Sequence, residues 1–305
     1  MGKGAGIVSA DDDSGGWQRF ENPGDFRGSA NYQGATIYQY FGAQPSQPAQ
    51  ADLDQADARL RNLPVEPIPD PAPIPESSRL EFRSNRAFVG RRAGFKNIAK
   101  QLKDGGATAI GQTVAATGMG GVGKTQLAVE VGHRHGPYFA GGVQFLKLGE
   151  RAGIETEIVR CGQAMGVVDD DDTHEPAVRK TLAAWQSPLP RLLIFDNCED
   201  AELFDALCPP TGGARVLVTS RRQDWDDPTR GVQAVPLGVL DRGESIELLL
   251  AFRRDLEDAR GDLDAIAEEL GDLPLALHIA GSYLRQYRKS PLLGNPQTYL
   301  EALRD

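Results

Sequence analysis

Short, nearly continuous apolar runs recur between residues 112 and 237: Gln112–Thr117, Gly142–Leu148, Arg191–Asp196, Ala214–Arg222 and Val232–Leu237. Runs of this length, bounded by Gly, Pro or charge, read as strands buried on both faces. Between them the apolar positions recur at helical spacing, from Gln126, over Ile154 to Met165, and over Glu175 to Trp185. Phe95 to Leu102 upstream has the spacing of an amphipathic helix, and Asp104, Gly105 and Gly106 supply the turn that ends it. From Asp241 onward the strand pattern stops. Asp241 and Glu244 form a D-x-x-E capping box opening a helix over 245–252. Further helices are expected over Leu263 to Leu270, from Pro274 to about Tyr287, and over Gln297 to Leu303, with Pro274 suited to a first helical turn. Strands alternating with helices, followed by helices alone, predict an α/β unit with a parallel sheet and a small helical unit after it. Val232–Leu237 would be the fifth strand, at an edge, where Pro236 is tolerated.

The first 77 residues show neither period. Residues 1–76 hold eleven Asp and Glu against five Lys and Arg, so more than half of the net charge of −10 falls there. Pro64 to Pro75 alternates proline with other residues, the pattern of an extended polyproline spacer. A disordered acidic and Pro-rich leader over 1–77 is expected on composition. The aromatic-rich stretch Phe20 to Phe41, near-alternating over Ala35–Phe41, leaves open a strand, a hairpin or a partner-docking peptide. The α/β unit is then expected over 78–237 and the helical unit over 238–305.

Composition narrows the function classes. No apolar run approaches the ~20 residues of a membrane span, and the N-terminus lacks a signal-peptide core. Cys161, Cys198 and Cys208 form no C-x-x-C pair, so reduced thiols and a cytoplasmic location are expected. The negative net charge and the absence of a basic recognition helix argue against direct nucleic-acid binding. Four adjacent carboxylates, Asp169 to Asp172, read as a solvated turn rather than a metal site.

The chemistry concentrates at the ends of three strands. Gly118–Thr125 matches G-x-x-x-x-G-K-[ST] between a strand and a helix. In that context Gly118, Gly120, Gly121, Val122 and Gly123 let backbone N–H groups cradle phosphate oxygens at a helix N-terminus. Lys124 reaches the β- and γ-phosphates, the Thr125 hydroxyl holds Mg²⁺, and Gln126 begins the helix. Asp196 closes an apolar strand and is placed to hold Mg²⁺ opposite Thr125. Arg221, after the strand ending in Thr219 and Ser220, is placed to read a γ-phosphate.

These residues resemble the NB-ARC family within the STAND class of signal-transduction ATPases. The resemblance covers roughly residues 80–305. It rests on Phe88 to Arg91, Gly118–Thr125 with Gln126, Leu127 and Ala128, Leu192–Asp196, Val216–Arg221, and the GLPLA-like Gly271–Leu277, in that order. It implies an AAA+-like sheet order, with the sensor strand between the two phosphate-site strands. It also implies adenine-nucleotide binding, with the Val89 backbone and Arg91 side chain facing adenine, Pro274 closing over the base, and self-association or protein partners on activation. One departure matters for chemistry. The family shows two adjacent acids at the end of the Asp196 strand, and here Asn197 follows, which cannot accept a proton from water. Glu199 or Asp200 would have to substitute.

Three functions follow: an ATP/ADP-dependent molecular switch with slow or no hydrolysis, an active ATPase or kinase-like enzyme, or the nucleotide-binding part of a transcription regulator.

Overall fold

The computed structural model describes residues 48–103, 112–222, 225 and 231–305, together with the backbone of four short strands nearer the N-terminus. Those strands form two antiparallel pairs, β1 (Gly6–Ser9) with β2 (Trp17–Phe20) and β3 (Ala30–Tyr32) with β4 (Ala35–Ile37). The near-alternating stretch read at 35–41 thus holds one arm of the second pair over Ala35–Ile37, and the rest of it lies outside the described residues.

The centre of the molecule is a five-stranded sheet. In chain order its strands are β5 (Gln112–Thr117), β6 (Val143–Lys147), β7 (Arg191–Asp196), β8 (Ala214–Ser220) and β9 (Val232–Pro236). All pairings are parallel, in the order β6-β7-β8-β5-β9. The sensor strand β8 therefore lies between β5 and β7, as the resemblance implied, and β9 is an edge strand with Pro236 at its last position. Parallel strands need long crossovers, and helices supply them on both faces. Alternate residues of one strand serve opposite faces. Leu192 and Ile194 of β7 pack with α2 (Arg92–Lys103) and α3 (Lys124–His135). Leu193 and Phe195 pack with α4 (Ile154–Ala164), α5 (His174–Trp185) and α6 (Ala201–Leu207). Burial on both sides is why β7 reads as an unbroken apolar run.

A second core belongs to the helices after the sheet: α7 (Arg242–Phe252), α8 (Arg260–Glu269), α9 (Pro274–Gln286) and α10 (Pro296–Arg304). Pro274 occupies the first turn of α9, where its missing N–H costs nothing. Asn295 caps α10 by accepting from the Gln297 and Thr298 N–H groups. The expected capping box at α7 is not formed. Asp241 sits at the N-cap but makes no side-chain cap bond, and Glu244 bonds elsewhere, to Arg91.

The larger correction concerns the leader, which is not a free spacer over residues 48–77. Gln50–Arg61 forms helix α1, and Leu60 and Leu63 are buried in the core beneath α2 and α3. The proline run follows as a strap in which Val65, Ile68 and Ile74 pack on that core. The Ala72 N–H donates to the His133 carbonyl, Arg134 Nη1 donates to the Pro69 carbonyl, and His135 Nε2 bonds the Pro64 carbonyl. The strap thus ties down the C-terminal turn of α3. Among the described residues, packing starts at 48–77 rather than at the expected 78, because the apolar residues between the prolines have a buried surface to cover.

Candidate functional site

The C-terminal ends of β5, β7 and β8 lie side by side and gather the chemistry. The loop after β5 turns on left-handed glycines: Gly118 has φ of 146°, Gly121 of 79° and Gly123 of 90°. At Gly118 the need is also steric, since a Cβ there would lie 2.3 Å from the Leu237 carbonyl oxygen. Gly123 stands at the N-cap of α3, so the loop runs directly into that helix N-terminus.

Lys124 folds back over the loop, and its Nζ donates to the carbonyls of Gly118 (2.7 Å) and Met119 (2.8 Å). Burial lowers its ammonium below the usual lysine range. The Glu199 carboxylate opposes that shift, Arg221 adds to it, and Asp196 opposes it. Thr125 Oγ1 donates to Asp196 Oδ1 at 2.7 Å, and Thr219 Oγ1 donates to the same oxygen at 2.6 Å. The strands thus bring the Thr125 hydroxyl and the Asp196 carboxylate into contact.

Asn197 adopts a left-handed φ of 57°, a region in which Asn is several-fold enriched. Its N–H donates to Thr219 Oγ1 at 2.9 Å. Neither candidate substitute acid is free. Asp200 caps α6, accepting from Glu202 and Leu203 N–H groups, and pairs with Arg151. Glu199 accepts from Ser220 Oγ (2.9 Å), from the Arg221 N–H (2.9 Å) and from Arg221 Nε (3.4 Å). Burial works to raise the Glu199 carboxyl, but these hydrogen bonds outweigh it and hold its pKa below the usual carboxylate range. Arg221 is therefore docked on Glu199.

A cavity of about 670 Å³ opens above the loop. Of the residues singled out from sequence, Val89, Arg91, Gly120, Gly121, Val122, Gly123, Lys124, Thr125, Gln126, Arg221 and Pro274 line it. Gly118 lies beneath it as an acceptor for Lys124, and Asp196 lies behind Thr125. Leu240 and Leu248, with Leu275 and His278 from α9, complete the wall opposite the loop. The two units touch directly: the Leu275 N–H donates to the Gly121 carbonyl at 3.3 Å. Arg91 lines the cavity, but its guanidinium bonds the Val122 carbonyl (2.7 Å) and the Val239 carbonyl (3.3 Å). Burial lowers the Arg91 guanidinium, with the Glu244 and Asp241 carboxylates opposing.

Sequence reasoning missed Glu130. It is fully buried on α3 and accepts from both Ser84 Oγ and the Asn85 N–H, at 3.1 Å and 2.5 Å, and from Arg134 Nε at 3.1 Å. It thereby anchors the segment that carries Phe88, Val89 and Arg91 to the cavity. The signal available was a lone acid inside the apolar run Leu127–Val131.

No protein-family model matches the chain. It is 33% identical over 269 residues to the regulatory protein AfsR of Streptomyces griseus, an alignment covering 79% of this chain and 25% of that protein. The probable disease resistance protein RF45 of Arabidopsis thaliana is 29% identical over 224 residues, covering 65% of this chain and 21% of that one. Among solved structures, a STAND protein with a tetratricopeptide repeat sensor from Pyrococcus horikoshii aligns with a TM-score of 0.39 at 18% identity, over 68% of this chain and 31% of that one. The chain spans about a quarter of the length of the AfsR proteins it matches. With the loop, the Asp196 strand, the β8 strand and the GLPLA-like turn in family order, and with the AfsR and RF45 relatives, the chain belongs to the NB-ARC/STAND class of P-loop ATPases.

Proposed function

We propose that this chain is the ATP/ADP-binding switch module of a STAND-type signalling protein, with the nucleotide held between an α/β unit ending near residue 237 and the helical unit that follows. The observation that carries this is the cavity itself: one wall is the phosphate loop, and the other is Pro274, Leu275 and His278 of α9. A ligand that fills it touches both units, so ADP and ATP can favour different arrangements through their differential contacts. The residues present fit a magnesium nucleotide. Thr125 and Asp196 offer only hard oxygen donors, and Mg²⁺ commonly takes one or two protein oxygens and completes its shell with phosphate and water. Lys124, depressed by burial, gains a counter-charge from a polyphosphate. The Val89 backbone and Pro274 would flank adenine. Self-association or partner binding on activation, and a cytoplasmic location, belong to the same proposal. Among the described residues no helix is long and apolar enough to cross a membrane.

Hydrolysis in this module is expected to be slow. Asn197 stands where a second acid would, Glu199 is held by the sensor strand, and Asp200 caps a helix. The test is the nucleotide that co-purifies with the chain, identified after denaturation, together with its Mg²⁺-dependent turnover. Bound ADP or ATP with turnover far below ~1 s⁻¹ supports the switch. An empty site that takes up neither nucleotide refutes it, and turnover at ordinary enzyme rates favours the active ATPase instead.

A further inference from the structure

Glu244 is the residue whose expected local partner is not the one it takes. A Glu in the third position of a capping box returns to the N-cap N–H of its own helix. Here it crosses from α7 to the α/β unit, and its Oε1 accepts the Arg91 N–H at 2.9 Å. Gly90 makes room for this. A Cβ at that position would lie 2.3 Å from the Glu244 carboxyl carbon and 2.6 Å from both of its oxygens. Gly90 and Arg91 take consecutive positive φ values of 71° and 60°. The second is unfavourable for a residue with a side chain and persists only where its surroundings hold it.

What Arg91 does from that bend concerns the phosphate loop. Its guanidinium holds the Val122 carbonyl at 2.7 Å. In a trans peptide the C=O and the following N–H point in opposite directions. Holding the Val122 carbonyl therefore fixes the direction of the Gly123 N–H, one of the donors a phosphate loop aims at its ligand. The neighbouring peptide is held in the same way, because the Leu275 N–H takes the Gly121 carbonyl and so orients the Val122 N–H. Two successive loop peptides are thus set from the helical unit, one directly through α9 and one through Glu244 and Arg91.

We infer that Glu244 is a positioning residue for the nucleotide site: by seating Arg91 it lets closure of the helical unit preorganise the phosphate loop. The inference rests on the proposal that this loop binds a nucleotide polyphosphate. The competing account is electrostatic only, since an acid in the first turn of α7 is favourable whatever it touches. Reach and charge separate the two. Glu244→Gln keeps the length and a carbonyl acceptor but loses the charge. Glu244→Asp keeps the charge but is one methylene short.

In the full chain, Glu244→Asp is expected to weaken ADP binding on the order of tenfold, the scale of one lost charge-assisted hydrogen bond. Glu244→Gln, which keeps the acceptor but loses the charge assistance, is expected to weaken it less, by about threefold to fivefold. In an Arg91→Ala background the Asp and Gln variants should converge, because the two positions act as one unit. Amide exchange of the ligand-free chain reads the same contact without nucleotide: the Arg91 N–H should lose protection in the Asp variant and keep it in the Gln variant. Equal ADP affinity for the Asp variant and the parent, or a larger loss with Gln than with Asp, overturns the role of Glu244. If the parent binds no ADP, the nucleotide proposal fails, while unchanged Arg91 exchange in the Asp variant would by itself refute the latch.

Discussion

At the scale of single residues, the site is a set of groups whose partners stand in for a ligand. Lys124 rests on two loop carbonyls, contacts that a polyphosphate would replace with much stronger charge-assisted bonds. Lys124→Ala should therefore cost most of the affinity for both ADP and ATP, on the order of a hundredfold or more. Calorimetry on the folded variant reads this, and unchanged ADP binding would remove Lys124 from the site. A second residue-scale prediction concerns stability. Burial pushes the His135 imidazole down to about 4, with the bond to the Pro64 carbonyl opposing and the Arg134 charge adding. Its Nδ1 has no hydrogen-bond partner among the described residues. The unfolded chain takes up this proton near pH 6.5 and the folded chain only near 4, so stability is full above about 6.5 and is lost as the pH falls towards 4. Between pH 7 and pH 5 the loss should be about 2 kcal/mol. Denaturant midpoints at the two pH values measure it, and His135→Gln, which keeps a donor for the Pro64 carbonyl, should remove that share of the difference. A pH dependence equal in parent and variant would show that His135 does not titrate this way.

At the scale of elements, what the chain reveals in advance depends on whether a segment carries its own period. The five strands and the helices α2 to α5 and α7 to α10 were legible from apolar runs, helical spacing or end signals, whereas the seven-residue α6 was not read from the sequence because two turns are too short to show a period. Their order was not in the periodicity. It came from the resemblance, and the parallel pairings of β5 with β8 and of β8 with β7 agree with it. The strap over 62–77 was illegible because Leu63, Val65, Ile68 and Ile74 are separated by prolines and form no face until α2 and α3 provide one. The capping box failed for a related reason: a local pattern says nothing of a competing N–H donor 153 residues away. The candidate site followed the same division, since Thr125 and Asp196 stand out by motif, whereas Glu130 and Glu244 meet their partners only across the fold. For the helical elements the prediction is that α7 to α10 form half of the binding site. Residues 48–237 retain the loop, Asp196, Arg221 and the strap but lose Pro274, Leu275 and His278. This fragment, if folded by circular dichroism, should bind ADP at least tenfold more weakly than residues 48–305, since one wall of the cavity and the Leu275 bond to Gly121 are gone. Pro274→Ala should weaken it more mildly. Equal affinities for the two folded fragments would mean the helices are no lid.

At the scale of the whole molecule there are two cores, one wrapped around the sheet and one among α7 to α10. They are joined by the chain from Leu237 to Asp241, the Leu275–Gly121 bond, the contacts of Arg91 with Val239 and Glu244, and the packing of Leu273 on the sheet core and of Val89 on the helical core. Interfaces of this kind permit relative motion. A nucleotide in the cavity would add contacts to both units at once, so its binding energy would be shared between the two cores. Stabilisation then grows as RT ln(1 + [L]/Kd), about 2.7 kcal/mol at a hundred times Kd. For a chain of 305 residues that is a rise in melting temperature of roughly 4 °C. Beyond the shift, the shape of the transition should change. Without nucleotide the calorimetric trace should be broad or double, with the van't Hoff enthalpy below the calorimetric one, because the cores unfold in partial independence. With saturating ADP the two should merge towards one cooperative transition, since neither core can open without releasing the shared ligand. Lys124→Ala should abolish the merging while leaving the nucleotide-free trace broad or double. A melting temperature that does not move at a hundredfold excess of ADP over Kd would refute preferential binding to the folded state. A shift confined to one of two separate transitions would place the nucleotide in a single unit and leave the switch without a mechanism.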